Sequence, residues 1–266
     1  MSEPWEHAAE NSAKCYAVGI EALRERLEKS KVIIGDCTLY CESAEFVVPT
    51  LHGIDAVVTD PPYGIGYQRG KGGRGGAHSF GNRFCNDEAV YGDDVPFDPV
   101  PWLAFPEVIL WGANHFSQRL PHGRWLAWNK LGEKEPWDDF CDVEFAWQNK
   151  RAADRIFSHL WKGLCQKGAG VRRVHPTQKP EELMKWCLSF ITGQTILDPY
   201  MGSGTTLVAA VKMGKRGIGI ERERKYFDIA VKRITEAYKQ PDLFVAPPES
   251  KPEQMNLLDS VKKVEA

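Results

Sequence analysis

Apolar positions along this chain follow two rhythms. Short continuous runs of β-branched and apolar residues alternate with stretches in which apolar residues recur every third or fourth position. The first rhythm predicts buried strands at Lys31–Ile34, Ile54–Thr59, Pro106–Gly112, Gly123–Asn129, Val143–Trp147, Thr195–Leu197 and Gly217–Glu221. The second predicts a helix over residues 4–29, where Tyr16, Ile20, Leu23 and Leu27 share a face. Further helices are expected over residues 180–191, with Leu183, Trp186, Cys187 and Phe190 on one side, over 205–213 and over 225–238. A shorter helix is expected from Ala113 to Leu120, and Trp125, Trp128, Trp137 and Trp147 are read as core. Strands and helices in this alternation specify an α/β sheet. The strands at 123–129 and 143–147 have no long helix between them, which predicts an antiparallel hairpin at one sheet edge.

The punctuation of two strands carries the chemistry. Ile54–Thr59 runs into Asp60-Pro61-Pro62-Tyr63-Gly64. Two prolines forbid continuation of ladder or helix and leave carbonyls without local donors. The product is a rigid loop holding one acid, free carbonyl oxygens and one ring at a strand's carboxyl end, where open α/β sheets bind ligands. An amine donating to Asp60 and to the Pro61 carbonyl, its ring flat on Tyr63, would be fixed there. A plain strand-ending turn is the competing reading for these residues alone.

A second stretch shifts that balance: Asp198-Pro199-Tyr200-Met201-Gly202-Ser203-Gly204-Thr205-Thr206. Its glycines let backbone amides approach a ligand at a helix N-terminus. Glu221, about twenty residues past the turn, matches the position of a ribose-binding acid. Asp36, after Lys31–Ile34 and Gly35, is expected to accept from a purine amine or to cap a following helix. Asn114 and His115 are further pocket-lining candidates.

Charge changes the picture by its distribution. The chain has 266 residues and a formal net charge of -2. Yet residues 148–179 hold eight Lys/Arg (150, 151, 155, 162, 167, 172, 173 and 179) against one acid, Asp154. Residues 67–85 hold four, Arg69, Lys71, Arg74 and Arg83, and no acid, within a glycine-rich run expected to act as a lid. Clustered positive charge suits phosphate contact. Arg69, Lys71, Arg74, Arg172, Arg173 and His175 are therefore the substrate-binding candidates. Seven scattered cysteines without Cys-x-x-Cys spacing suggest free thiols and no metal. With no apolar run of membrane-spanning length and no leader pattern, no membrane is expected as a partner. The expectation is a cytoplasmic protein, bacterial or virus-encoded and acting in a bacterial host.

Taken jointly, Gly35-Asp36, Asp60-Pro61-Pro62-Tyr63, His175-Pro176-Thr177-Gln178-Lys179-Pro180 and Asp198-Pro-x-x-Gly-Ser-Gly-Thr-Thr206, then an acid ending the next strand, resemble the DNA amino-methyltransferases. The order, with the Asp-Pro-Pro-Tyr loop ahead of the glycine turn, is similar to the circularly permuted β class, over about residues 31–239. The resemblance implies a Rossmann-like, seven-stranded mixed sheet with helices on both faces. It implies a helical extension at 1–30, a methyltransferase domain at 31–240 with a short target-reading insertion at about 148–174, and a tail at 241–266. S-adenosyl-L-methionine is the implied cofactor. Asp198, Tyr200, Gly202, Ser203, Gly204 and Thr205 would cradle its methionine end, Glu221 the ribose and Asp36 the adenine amine. Lys179, with Thr177 and Gln178, would close the site near the cofactor carboxylate. Asp60, Pro61, Pro62 and Tyr63 would hold a base flipped out of DNA. An Asp leading that loop points to adenine N6 rather than cytosine N4. Tyr200 stands where the family usually has Phe. The short reading region leaves sequence specificity relaxed, or supplied by a partner or a homodimer.

Overall fold

The computed structural model describes residues 19–65, 92–136, 141–162, 165–166 and 178–239. In chain order these form α1 (residues 19–30), β1 (Lys31–Ile34), β2 (Cys37–Tyr40), α2 (Ala44–Val47), β3 (Ala56–Thr59), β4 (Glu107–Trp111), β5 (Arg124–Asn129), β6 (Val143–Gln148) and β7 (Arg155–Ser158). They continue with β8 (Trp161–Lys162), β9 (Cys165–Gln166), α3 (Glu181–Leu188), β10 (Thr195–Asp198), α4 (Thr205–Lys212), β11 (Arg216–Ile220) and α5 (Arg224–Lys239).

Nine strands make one mixed sheet in the order β1-β2-β11-β10-β3-β4-β6-β5-β7, and β8 pairs with β9 as a separate hairpin. The α/β class holds; among the described residues the sheet has nine strands, not seven. The strands of this sheet that the apolar runs did not predict are β2 and β7. β1 folds back antiparallel on β2. At the far edge β7 joins β5 in parallel register, Ala127 beside Ile156. The expected hairpin is present, with β5 and β6 antiparallel from Arg124↔Gln148 to Asn129↔Val143.

Strand alternation sorts the core between the faces. Ala56, Val58, Ile109, Trp111 and Ile196 pack with Leu183, Met184 and Leu188 of α3 and Ala209 and Ala210 of α4. Val57, Val108, Leu110, Leu197 and Ile220 face the other way, against Leu27, Ala44, Val47, Trp102 and Phe116. Helices thus cover both faces, and the central strands are apolar on both sides. Gly217 and Gly219 of β11 are small because Leu207 of α4 sits on them; a Cβ at Gly219 would lie 2.4 Å from it.

Two local expectations are corrected. The 113–120 segment is two short 3-10 turns, Ala113–His115 and Ser117–Arg119, rather than one helix. Cys37 opens a strand, not a helix, so Asp36 caps no helix.

Candidate active site

β10 is hydrogen-bonded to β3 on one side and β11 on the other. The chain leaves β10 for β11 in one direction and leaves β3 for β4 in the opposite one. The carboxyl ends of β3 and β10 therefore flank the sheet's topological switch point, where α/β folds open a ligand crevice. Asp60 follows the last residue of β3, Asp198 is the last residue of β10, and Glu221 follows β11.

The two motif loops touch. Thr59 Oγ1 donates to Asp198 Oδ1 at 2.7 Å, across 139 residues of sequence. Asp198 is 2% exposed. Burial pushes its carboxyl up to about 6, against the opposing pull of hydrogen bonds from Thr206, Thr59 and the Tyr200 amide. Glu221 is likewise raised by burial, although the Glu223 and Gly202 amides both donate to it. Those bonds, 2.7 Å from Glu223 and 3.0 Å from Gly202, tie the end of β11 to the glycine turn. Arg233 of α5 clamps the turn from behind. Its Nη1 donates to the Ser203 carbonyl at 2.5 Å, Ser203 Oγ at 2.9 Å and Thr205 Oγ1 at 3.0 Å.

Asp60 sits in a small charged network. Lys179 Nζ lies 2.6 Å from Asp60 Oδ2 and 3.3 Å from Glu144 Oε2. Lys130 Nζ then donates to Glu144 Oε1 at 3.1 Å. The Tyr63 hydroxyl donates to Asp60 Oδ1. Burial raises the Asp60 carboxyl, and Lys179 and the Tyr63 hydroxyl hold it back. Burial opposes charge on Lys179, yet Asp60, Tyr63 and Glu144 together lift it well above the ordinary lysine range. Lys179 is therefore a fixed cation. Burial also opposes charge on Glu144, but Lys179 and Lys130 outweigh it and lower its pKa.

The loop after Asp60 is held by Asp93, whose Oδ1 accepts from the amides of Tyr63 at 2.9 Å and Gly64 at 2.8 Å. The Tyr63 ring stacks on His115, centroids 5.1 Å apart and planes 18° off parallel. Gly112, at φ 66°, lies directly against that ring; a Cβ there would sit 1.9 Å from it. The turn after β4 thus seats the aromatic member of the site.

The structure brings Asp60, Pro61, Pro62, Tyr63, Asp198, Tyr200, Gly202, Ser203, Gly204, Thr205 and Glu221 to the carboxyl ends of the central strands. Lys179 joins them in contact with Asp60. Asp36 does not. Gly35 turns the chain back, so Asp36 precedes β2, whose partner β11 runs parallel from Gly217 beside Cys37. It shares a shallow depression with His52, in the loop ahead of β3, and with Thr195 and Arg216, which open β10 and β11. An adenine amine at the carboxyl ends is out of its reach. Arg69, Lys71, Arg74, Arg172, Arg173, His175, Thr177 and Trp137 lie outside the described residues. Among the described residues no group of three or more His, Cys, Asp or Glu could hold a metal ion, and no helix is long and apolar enough to cross a membrane.

Sequence reasoning passed over Thr59, Asp93, Glu144, Lys130 and Arg233. Glu144 carried a usable signal, an acid inside the apolar run Val143–Gln148. The others carried none, since their partners are remote in sequence.

The fold and the paired acids at its switch point define an α/β protein built to hold a nucleotide-like ligand. Residues 107–232 match the model of a family described as DNA methylase, and the resemblance to the DNA amino-methyltransferases holds. Over 78 residues, 28% of this chain, it is 52% identical to the Type II methyltransferase M2.DpnII of Streptococcus pneumoniae. Over a stretch of the same length it is 42% identical to M2.LlaDCHI of Lactococcus lactis subsp. cremoris. The matched stretch spans 29% of the length of each of these two relatives. A crystal structure of an M1.HpyAVI–SAM complex aligns with 74% of this chain and 98% of its own, at 22% identity and a TM-score of 0.46.

Proposed function

We propose that this protein is a DNA methyltransferase of the permuted β class, with residues 31–240 as its catalytic domain, and that it methylates the exocyclic N6 amine of adenine in a flipped-out nucleotide. The observation that carries this reading is the Thr59–Asp198 hydrogen bond, which sets the base-holding loop against the glycine turn. The donor set suits S-adenosylmethionine: carboxylates at Asp198 and Glu221 face a turn rich in backbone amides, matching a ligand with an ammonium group, hydroxyls and a carboxylate. When bound, it supplies a methyl group on a sulfonium, already activated for transfer. Asp198 through Thr205 would hold the amino-acid end and Glu221 the ribose.

The chain's own contribution is alignment. An exocyclic amine is a poor nucleophile because its lone pair is delocalised into the ring. A carboxylate has room for several donors, so Asp60 can accept from Lys179, from Tyr63 and from an incoming amine together. The Pro61 carbonyl offers the amine a second acceptor. Both bonds draw the nitrogen toward tetrahedral geometry, and the Tyr63 ring supports the base. Fixing donor and acceptor this way is worth several orders of magnitude in rate. Asp60 also stands where the amine's departing proton must go. The basic segments at 67–85 and about 148–174 are assigned to the DNA backbone.

The test is direct. Unmodified plasmid DNA is incubated with methyl-labelled S-adenosylmethionine, digested to nucleosides and separated. Label in N6-methyladenine is expected. Label in N4-methylcytosine reassigns the base, and unlabelled DNA ends the reading.

A further inference from the structure

Glu144 stands outside every motif, yet it shares Lys179 with Asp60. Four groups of alternating sign run in a line: Asp60, Lys179 at 2.6 Å, Glu144 at a further 3.3 Å and Lys130 at a further 3.1 Å. Each comes from a different part of the fold. Asp60 follows β3, Lys179 precedes α3, Glu144 lies in β6 and Lys130 follows β5. Beneath them Trp111 presents its ring to Lys179 Nζ at 5.3 Å, so the ammonium has an aromatic floor and two carboxylate walls.

A buried lysine facing only Asp60 would give that carboxylate its whole charge. It would hold Asp60 ionised and also spend most of its acceptor strength. A second carboxylate on the same ammonium divides the attraction. Resting on the methyltransferase reading, we infer that Glu144 is a positioning residue that draws part of the Lys179 charge and keeps Asp60 a strong acceptor for the target amine. Lys130 tempers Glu144 in turn. The other groups around Asp60 do not supply this balance. The Tyr63 hydroxyl donates to it, Thr59 is neutral and committed to Asp198, and Asp198 repels it.

The experiment follows the Asp60 carboxyl carbon by NMR in Asp-labelled protein, with the resonance assigned by its loss in Asp60→Asn. In Glu144→Gln the titration midpoint of Asp60 is expected to fall by about one pH unit. In Lys130→Met it is expected to rise. Midpoints unmoved in both variants would overturn the inference, and the opposite signs guard against a fold defect in either. Turnover adds a second readout. Glu144→Gln is expected to lower kcat about tenfold, the worth of one hydrogen bond to a charged group. The KM for S-adenosylmethionine should stay unchanged, the acid limb should move to lower pH, and Glu144→Asp should recover most of the rate. A kcat loss with an unmoved acid limb and no rescue marks a merely structural residue and also overturns it. Midpoints that move in the two variants, together with a wild type that methylates no DNA, would reject the functional reading and leave the charge sharing standing.

Discussion

Thr59 and Asp198, 139 residues apart, meet through one hydrogen bond of 2.7 Å at the junction of the two parallel strands that flank the switch point. The bond satisfies a buried carboxylate and also fixes the spacing of the two loops that carry the proposed chemistry. Thr59→Val keeps the shape and removes the donor. A buried acceptor left short of a partner costs about 1–3 kcal/mol. Urea unfolding at pH 7 should show that loss. Methyl transfer should fall as well, because the Asp60 loop is no longer pinned to the glycine turn.

Asp198 makes stability depend on pH in an unusual direction. Its folded carboxyl lies at about 6, against an ordinary value of 3.8. The folded state therefore binds the proton more tightly than the unfolded chain. The stability this group contributes is complete below about pH 4 and is lost as pH rises through 6. The difference of about two units corresponds to roughly 3 kcal/mol as an upper figure. Asp198→Asn retains the acceptor oxygen and abolishes the titration. Wild-type stability minus that of Asp198→Asn, measured by urea unfolding, should decline between pH 4 and pH 7. Parallel curves would refute the assignment.

Asp60→Ala removes the acceptor for the amine and leaves the glycine turn untouched. Methyl transfer should fall by at least about a hundredfold, on the scale of losing an oriented catalytic group. Calorimetric binding of S-adenosylmethionine should survive. Retained turnover would take Asp60 out of the mechanism.

How much of this could be read from the chain itself depended on where the partners lie. Asp60, Asp198 and Glu221 were legible because each ends a strand that prolines or glycines punctuate, and strand ends are where this fold places its ligand. Asp36 was misread for an equally physical reason. A short strand such as Lys31–Ile34 looks the same whichever way the chain leaves it, and only the left-handed turn at Gly35, φ 53°, reverses the direction. β7 escaped notice because an edge strand needs no alternating burial; Arg155, Ile156 and Ser158 are all exposed. The Lys179–Asp60 pair spans 119 residues, and nothing in either segment announces the other. Lys179 was placed at the cofactor carboxylate, whereas its ammonium lies between the carboxylates of Asp60 and Glu144.

Gly112 offers a probe of the aromatic seat. Its φ of 66° already disfavours a side chain, and a Cβ would collide with Tyr63 at 1.9 Å. Gly112→Ala should cost about 1–3 kcal/mol from backbone strain alone. It should also displace the ring that stacks on His115. The expected signature is lost turnover with cofactor binding preserved, because the glycine turn at 202–205 is not involved. Loss of cofactor binding in this variant would show that the two halves of the crevice do not act separately.

Arg233 probes the other half. Its three bonds to Ser203 and Thr205 hold the turn from the α5 side, and the side chain is half-buried there. Arg233→Met keeps the aliphatic stem and removes the donors. The Ser203 carbonyl and two hydroxyls then lose a charged partner, and the turn can relax away from the conformation that presents its amides. A loss of about 1.5–3 kcal/mol, the worth of hydrogen bonds to a charged group, should appear mainly as weaker S-adenosylmethionine binding, about tenfold to a hundredfold in Kd. Turnover at saturating cofactor should be close to wild type, because neither Asp60 nor Tyr63 is touched. Unchanged Kd would mean that the turn holds its shape without the clamp, and a collapse of kcat at saturation would mean that Arg233 reaches the reacting atoms.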